Sequence, residues 1–344
     1  MVTVRFLLPD ILSTLRGCHV RKTSLSNPHL AALVNSFDLW LDQQALDLSI
    51  KQSWRAVQMP LLAALANPHM SLMQLQVCLD YMIVSLCLED LTDFAASMDA
   101  RDAASTFMGL FEGFIPAPEA ISSSARPIFD VVRQLLPGIM KGLGATYQRP
   151  FIKSNVLLAK GMVEEATQRE EAVPSHGTVE DYIRVRRTTI GIEPVLILGQ
   201  WARNIDLPEE ILRSEHVGVM VEATIDMVFL ANDIYSYKKE RQAQAAQHNI
   251  ITIALREGIA AGYQGCVDYA NQLIQAAALQ FEQGLLQLEA SAMWAEHGDN
   301  LQKYAENMMD WVVGNIEWSL QSERYSLFAD KEASVARIVQ FDIV

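Results

Sequence analysis

Apolar residues recur at three- and four-residue spacing through most of the chain, the period at which one face of an α-helix is buried. The spacing predicts helices over residues 29–46, 50–66, 70–98, 127–136, 150–171, 178–190, 208–242, 250–290 and 296–323, and no stretch alternates convincingly at the period of a strand. Breaks are expected at Asn67-Pro68, Phe114-Ile115-Pro116-Ala117-Pro118, Pro137-Gly138, Val173-Pro174-Ser175-His176-Gly177 and Leu207-Pro208, where proline or glycine stops or opens a helix. Residues 1–27 read as an extended or irregular N-terminal arm closed by a turn at Ser26-Asn27-Pro28. No internal repeat and no shift in composition marks a boundary. The pattern therefore predicts an all-α fold, a single-domain helical bundle over residues 1–344.

Half of the 344 residues are hydrophobic, as expected when several helices are buried nearly all round. Lys and Arg number 27 against 41 Asp and Glu, a net charge of −14 with no basic block, so neither nucleic acid nor an anionic membrane is an expected partner. Cys18, Cys78, Cys87 and Cys266 lack the C-x-x-C spacing of a zinc or redox site and sit mostly in apolar contexts, which predicts reduced thiols and a cytoplasmic protein. The apolar run in residues 1–10 is too short for a signal peptide. The most apolar longer window is taken as Val217–Ala231, and Glu222 and Asp226 interrupt it, so the expectation is a core helix and no membrane span. A monomer or homodimer is expected.

Charge changes the picture in one stretch, Asn232-Asp233-Ile234-Tyr235-Ser236-Tyr237-Lys238-Lys239-Glu240. On a helix Asn232, Ser236 and Glu240 fall at i, i+4 and i+8, so an amide, a hydroxyl and a carboxylate project from one face across roughly 12 Å. All-oxygen ligands suit Mg²⁺, a hard ion that completes its shell with water and substrate phosphates. Lys239 shares the face, and Phe229, Val228, Ile225 and Val221 continue it as an apolar wall. Taken alone, the same triplet serves equally well as the polar face of a solvated helix.

A second helix repeats the arrangement. Glu89, Asp90 and Asp93 share about a 100° arc above the apolar stripe of Leu86, Met82 and Cys78. Three carboxylates this close repel unless a cation joins them, and unpaired carboxylates are costly to bury. A solvated acidic helix end is the competing explanation, and it loses ground once both stretches are taken together.

Arg184, Arg186 and Arg187 precede a Gly191 and Pro194 that should break their helix, and arginine offers the bidentate donors that phosphate rewards. A solvated or capping role explains Arg186 and Arg187 as well. Nearer the C-terminus Trp311, Asn315, Trp318, Ser322 and Tyr325 lie on one helical strip. Arg324 joins that strip only if the helix ends near Ser322. Core packing accounts for Trp311, whereas Trp318 sits closer to the polar end.

These residues resemble the class I terpene synthases, specifically the microbial and fungal sesquiterpene cyclases. The family's Asn-Asp-x-x-Ser-x-x-x-Glu metal motif, with Lys before the Glu, is matched by Asn232, Asp233, Ser236, Lys239 and Glu240. Its C-terminal Arg-Tyr pair is similar to Arg324-Tyr325. Its diphosphate-sensing arginine lies 46 positions before the Asn, which is Arg186 here, with Thr189 and Ile190 at the linker and effector positions. Its aspartate-rich motif opens with Asp, whereas this chain reads Glu89-Asp90-x-x-Asp93.

The resemblance implies the class I terpenoid synthase bundle around a central apolar cavity, with Glu89, Asp90, Asp93, Asn232, Ser236 and Glu240 as ligands for Mg²⁺, three ions in the family. It implies that Arg186, Lys239, Arg324 and Tyr325 hold the diphosphate of a prenyl substrate, farnesyl diphosphate in this family, and that Trp318 faces the cations formed after ionisation. No Asp-x-Asp-Asp motif of the protonation-initiated cyclases is present. A chain-elongating prenyl diphosphate synthase shares the helical fold but carries a second aspartate-rich motif where this chain has Asn232–Glu240. A non-catalytic helical binding protein explains the helices and leaves the ordered ligands and arginines unexplained.

Overall fold

The computed structural model of the chain describes residues 2–15, 26–92, 97–113, 125–170 and 178–343. In chain order its elements are β1 (Val2–Leu7), α1 (Ile11–Leu15), α2 (Leu30–Gln43), α3 (Leu48–Val57), α4 (Met59–Ala66), α5 (Leu72–Thr92), α6 (Ser97–Phe111) and α7 (Arg126–Glu170). There follow α8 (Val179–Thr189), α9 (Ile192–Ala202), α10 (Glu209–Leu212), α11 (Glu215–Gln242), α12 (Ile250–Arg256), α13 (Gly262–Glu289), α14 (Ala292–Gln321), α15 (Lys331–Val335) and β2 (Ile338–Ile343). The expected all-α architecture holds apart from one two-stranded sheet. Two compact units divide the chain, one of residues 1–25, 177–187 and 205–344, the other of 26–176 and 188–204.

In the second of these units α7 packs on α5, α6 and α9. Its centre is α5, where Tyr81, Met82, Ile83 and Val84 are all buried, so apolar residues cover every side of the helix. The Tyr81 ring meets Phe151 of α7 edge-on at 5.0 Å, and its hydroxyl donates to Asn155 Oδ1 at 3.0 Å. Asn27 ties down the expected turn, its Nδ2 donating to the carbonyls of Asn67 and Met70 at 2.8 Å each. Burial pushes the Cys78 thiol up to about 12, so it stays protonated. Cys87 and Cys266 are buried as well, and Cys18 lies outside the described residues.

In the first unit α13 and α14 both pack on α11. Successive residues from Ala223 to Ala231 of α11 are buried, including Asp226, which Arg187 neutralises through two hydrogen bonds of 2.7 Å. β1 and β2 form an antiparallel pair from Val2↔Ile343 to Leu7↔Ile338. Val4 and Phe6 point inward and Thr3, Arg5 and Leu7 outward. Phe6 and Phe341 both reach Tyr237 of α11, with ring centroids 6.5 and 6.4 Å away. Arg337 closes the sheet by donating to the carbonyls of Leu8 and Pro9.

Several expectations need correction. The 1–27 arm holds a true strand, because Val4, Phe6 and Leu8 alternate with exposed neighbours at period two. The helix expected to stop at Pro137-Gly138 runs on to Gly144, whose φ of 67° and ψ of 171° suit only glycine and break α7 instead. Segment 50–66 splits at Gln58, a left-handed residue with φ 54°. Four helices are additional, two of them the five-residue α1 and α15. In α6 Ala100, Ala103, Ala104, Phe107 and Leu110 form a buried stripe at helical spacing, and α9 opens after Gly191 (φ 71°), where the expected break ends α8. The breaks at 114–118 and 173–177 lie outside the described residues. Among those described, α5 rather than Val217–Ala231 is the helix long and apolar enough to cross a membrane, and more than half of it is buried within the protein, as in a core helix.

Candidate metal and anion site

Helix α11 carries Asn232, Ser236 and Glu240 on one face, as their spacing requires. Around them α8 supplies Tyr182 and Arg186, one turn apart, and the residue before α12 supplies Asn249. Arg186 Nη2 donates to Asn232 Oδ1 at 2.9 Å, and Nε donates to Asp233 Oδ1 at 3.3 Å. Asn232 Nδ2 donates to the Tyr325 hydroxyl at 2.9 Å. α14 ends at Gln321 and the extended C-cap Ser322 turns the chain, the helix end that Arg324 needs in order to face the same site. Tyr325 is buried, with the Trp318 ring standing on it edge-on at 5.5 Å.

Asp233 is fully buried beneath these groups. The Tyr182 hydroxyl and Ile250 N donate to its Oδ2, the latter at 2.9 Å, and Arg186 holds its Oδ1. Burial raises its pKa, while Arg186, Tyr182 and Ile250 pull the other way. Burial and this carboxylate push the Tyr182 hydroxyl well above its ordinary value, which keeps it a donor. Asn249 Nδ2 donates to Glu240 Oε2 at 3.0 Å and to the Asp233 carbonyl at 2.9 Å. Tyr182, Asp233 and Asn249 are thus site residues that the face argument misses. Asn249 precedes the apolar Ile250-Ile251, a helix-start signal, and Tyr182 lies four residues before Arg186.

The chemistry of the face suits a divalent cation. Burial, then the Asp233 carboxylate, push the Glu240 carboxyl up to about 7, the mark of a carboxylate short of positive charge. The buried Ser236 hydroxyl eases that shift from nearby, yet it makes no hydrogen bond of acceptable geometry. Among the described residues no three His, Cys, Asp or Glu side chains gather, so an ion on this face must take amide and hydroxyl oxygens beside Glu240. These are hard donors, which fits Mg²⁺ and not zinc.

Lys239 is exposed, while its neighbour Lys238 donates to the carbonyls of Ser326 and Leu327 in the loop after Arg324-Tyr325. Arg324 is partly buried. Arg187 is committed to Asp226 and Glu222. In the other unit, Glu89 is partly exposed on α5, and Asp90 accepts from the buried Trp54 indole at 2.7 Å, which fixes one of its oxygens. Asp93 lies outside the described residues.

The chain is 26% identical over 271 residues to a sesquiterpene synthase of Cyclocybe aegerita, covering 78% of this chain and 74% of that one. It is 29% identical over 233 residues to a Δ6-protoilludene synthase of Stereum hirsutum, 67% of this chain but 61% of the relative's length. The linalool/nerolidol synthase of Streptomyces clavuligerus, solved with 2-fluorogeranyl diphosphate, superposes with a TM-score of 0.74 at 20% identity, over 89% of this chain and 99% of that one. That likeness identifies the all-α fold as the class I terpene synthase fold. Residues 80–279, more than half of the chain, match the family profile described as terpene synthase family 2, C-terminal metal binding, and the chain belongs to that family.

Proposed function

We propose that the protein is a Mg²⁺-dependent sesquiterpene synthase that ionises farnesyl diphosphate, cyclises the resulting cation and releases diphosphate. The observation that carries this reading is Asn232. One side chain joins the oxygen face of α11 to Arg186 on α8 and Tyr325 after α14, a cation-binding face with anion-binding groups at its edge. Family membership and sesquiterpene-synthase relatives support the substrate class.

In this reading Asn232, Ser236 and Glu240 hold Mg²⁺, Glu89, Asp90 and Asp93 are further candidate ligands, and three ions are bound in all. When bound, the ions neutralise the charge that develops on the departing diphosphate. Arg186, Lys239, Arg324 and Tyr325 bind its oxygens as donors, and donors already in place need no reorganisation when the carbon–oxygen bond breaks. Tyr182 and Asp233 orient Arg186, and Asn249 orients Glu240. Apolar residues beside the ligands keep water from the allylic cation, and the Trp318 ring meets it with a π face.

The test is incubation with ten-, fifteen- and twenty-carbon prenyl diphosphates and Mg²⁺, reading diphosphate release and volatile products by mass spectrometry. A fifteen-carbon cyclic product that disappears in excess chelator is expected. Full product formation in chelator, or turnover of every length but fifteen carbons, overturns the reading.

A further inference from the structure

Arg186 reaches α11 through two nitrogens, Nη2 on Asn232 Oδ1 and Nε on Asp233 Oδ1. The Asn232 amide is fixed from its other end, where Nδ2 donates to the Tyr325 hydroxyl, so Oδ1 is the atom facing the guanidinium. Oδ1 is also the only atom Asn232 can offer a cation. Mg²⁺ binds oxygen at about 2.0–2.1 Å, so with Nη2 already 2.9 Å from Oδ1 the ion and the guanidinium would stand within about 5 Å of one another. Two like charges that close disfavour each other. The oxygen has two lone pairs, yet each of two positive charges that close weakens the other's hold on it.

The guanidinium has a second anchor that it need not surrender. Asp233 is fully buried and pinned by the Tyr182 hydroxyl and Ile250 N, so the carboxylate holding Nε cannot follow the arginine out. The next residue, Arg187, ties α8 to Asp226 and Glu222 of α11, which keeps the helix in place while one side chain turns. Rotation of the Arg186 side chain can therefore free Nη2 from Asn232 with Nε still beside Asp233.

Building on the function proposed above, we propose that Arg186 is a displaceable internal counter-ion. With no divalent ion bound its Nη2 occupies the Asn232 end of the ligand face while Nε pairs with Asp233; ion binding at Asn232 Oδ1 expels Nη2 and frees it as a donor for the substrate's diphosphate. Metal loading and the presentation of the anion-binding arginine are then one exchange, and ion binding without diphosphate is held weak because the site carries its own competitor.

The experiment titrates the full chain with Mn²⁺ alone, in the absence of any diphosphate, and follows the free ion by electron paramagnetic resonance. Arg186→Met removes the competitor and is expected to bind Mn²⁺ about five-fold or more tighter than the native chain, in the usual range of coupling between two sites. Adding Asn232→Ala should erase the gain. Arg186→Gln, which leaves Asp233 a neutral donor, carries the same test should the Met variant not fold, with folding read from circular dichroism. Affinity in the arginine variants no higher than native, including binding too weak to detect in all of them, overturns the exchange, as does a gain that survives Asn232→Ala. The functional reading fails separately. A native chain that releases no diphosphate from any prenyl substrate, beside Arg186 variants that show the Mn²⁺ gain, refutes the synthase and leaves the exchange standing.

Discussion

Asn249 holds Glu240 and a helix start with one amide: Nδ2 donates to Glu240 Oε2 at 3.0 Å while Oδ1 accepts from Ile251 N at 3.0 Å. Removing the cap from α12 costs about 1 kcal/mol, and leaving the Glu240 and Asp233 acceptors unmet costs about 1–3 kcal/mol more, so Asn249→Ala should lower the melting temperature by several degrees. Asn249→Ser keeps a capping oxygen and loses the donor to Glu240. It should recover only the capping share of the loss, about 1 kcal/mol, and need more Mg²⁺ for half-maximal diphosphate release. A Ser variant with native Mg²⁺ dependence would show that Asn249 does not position Glu240.

Asp233 sits off the ligand face, and the face argument alone ranks it below Asn232, Ser236 and Glu240. Its burial reverses that order for stability. Asp233→Ala strands the Arg186 guanidinium, the Tyr182 hydroxyl and Ile250 N, and breaking a buried pair from one side costs about 3–5 kcal/mol. Urea denaturation should show a far lower midpoint for Asp233→Ala than for Ser236→Ala, whose hydroxyl makes no hydrogen bond to lose. Equal midpoints would remove Asp233 from the framework.

Asp80 gives a pH dependence away from the site. Burial raises its carboxyl's pKa against the help of the Gln76 amide, which donates to it at 2.8 Å. The folded chain therefore binds this proton more tightly than the unfolded one. Below the ordinary carboxylate range both states are protonated and Asp80 costs nothing. As pH rises through the raised folded value the unfolded chain gains by ionising, and stability falls. Asp80→Asn should melt higher than the native chain at neutral pH, with the difference vanishing in acid. A constant difference across that range would assign the effect to packing.

Trp318 is buried edge-on against Tyr325, whose hydroxyl is tied to Asn232, so its ring belongs to the polar end of the α14 strip. A cation over an aromatic face gains about 0.5–2 kcal/mol, enough to redirect a branching reaction without stopping ionisation. Trp318→Phe should keep most turnover, and Trp318→Leu should lose turnover or shift products toward linear and monocyclic ones. An unchanged profile and rate from a folded Leu variant would make Trp318 a packing residue.

The helical architecture was legible wherever one stripe of apolar residues ran unbroken, as in α2 and α13, because period 3.6 is a property of the chain itself. The ligand face of α11 was legible for the same reason. Asp233 and Asn249 were not, since their partners come from α8 and the start of α12, and no spacing along one helix reveals a contact across two. α6 was missed although Ala100, Ala103, Ala104 and Phe107 carry its period, because alanines weigh little as hydrophobes. The Pro137 stop failed for a different reason. Proline only disfavours a helix interior, whereas Gly144 reaches a backbone conformation in which the helix cannot continue.

The β1–β2 pair joins Thr3 to Asp342, 339 positions along the chain. Closing so long a loop has an entropic cost that is recovered only once the helices between have brought the strands together, so this sheet is expected to form late in folding. Contacts made late are absent from the folding transition state, and weakening them accelerates escape from the native state while leaving its formation rate nearly unchanged. Phe6→Ala, which removes the ring packed on Tyr237, should therefore speed unfolding many-fold with little effect on refolding. The loop bearing Ser326 and Leu327, latched to Lys238, runs from Tyr325 toward β2, so the same substitution should also shorten the time that the segment carrying Arg324 and Tyr325 stays in place, read by hydrogen exchange of its amides.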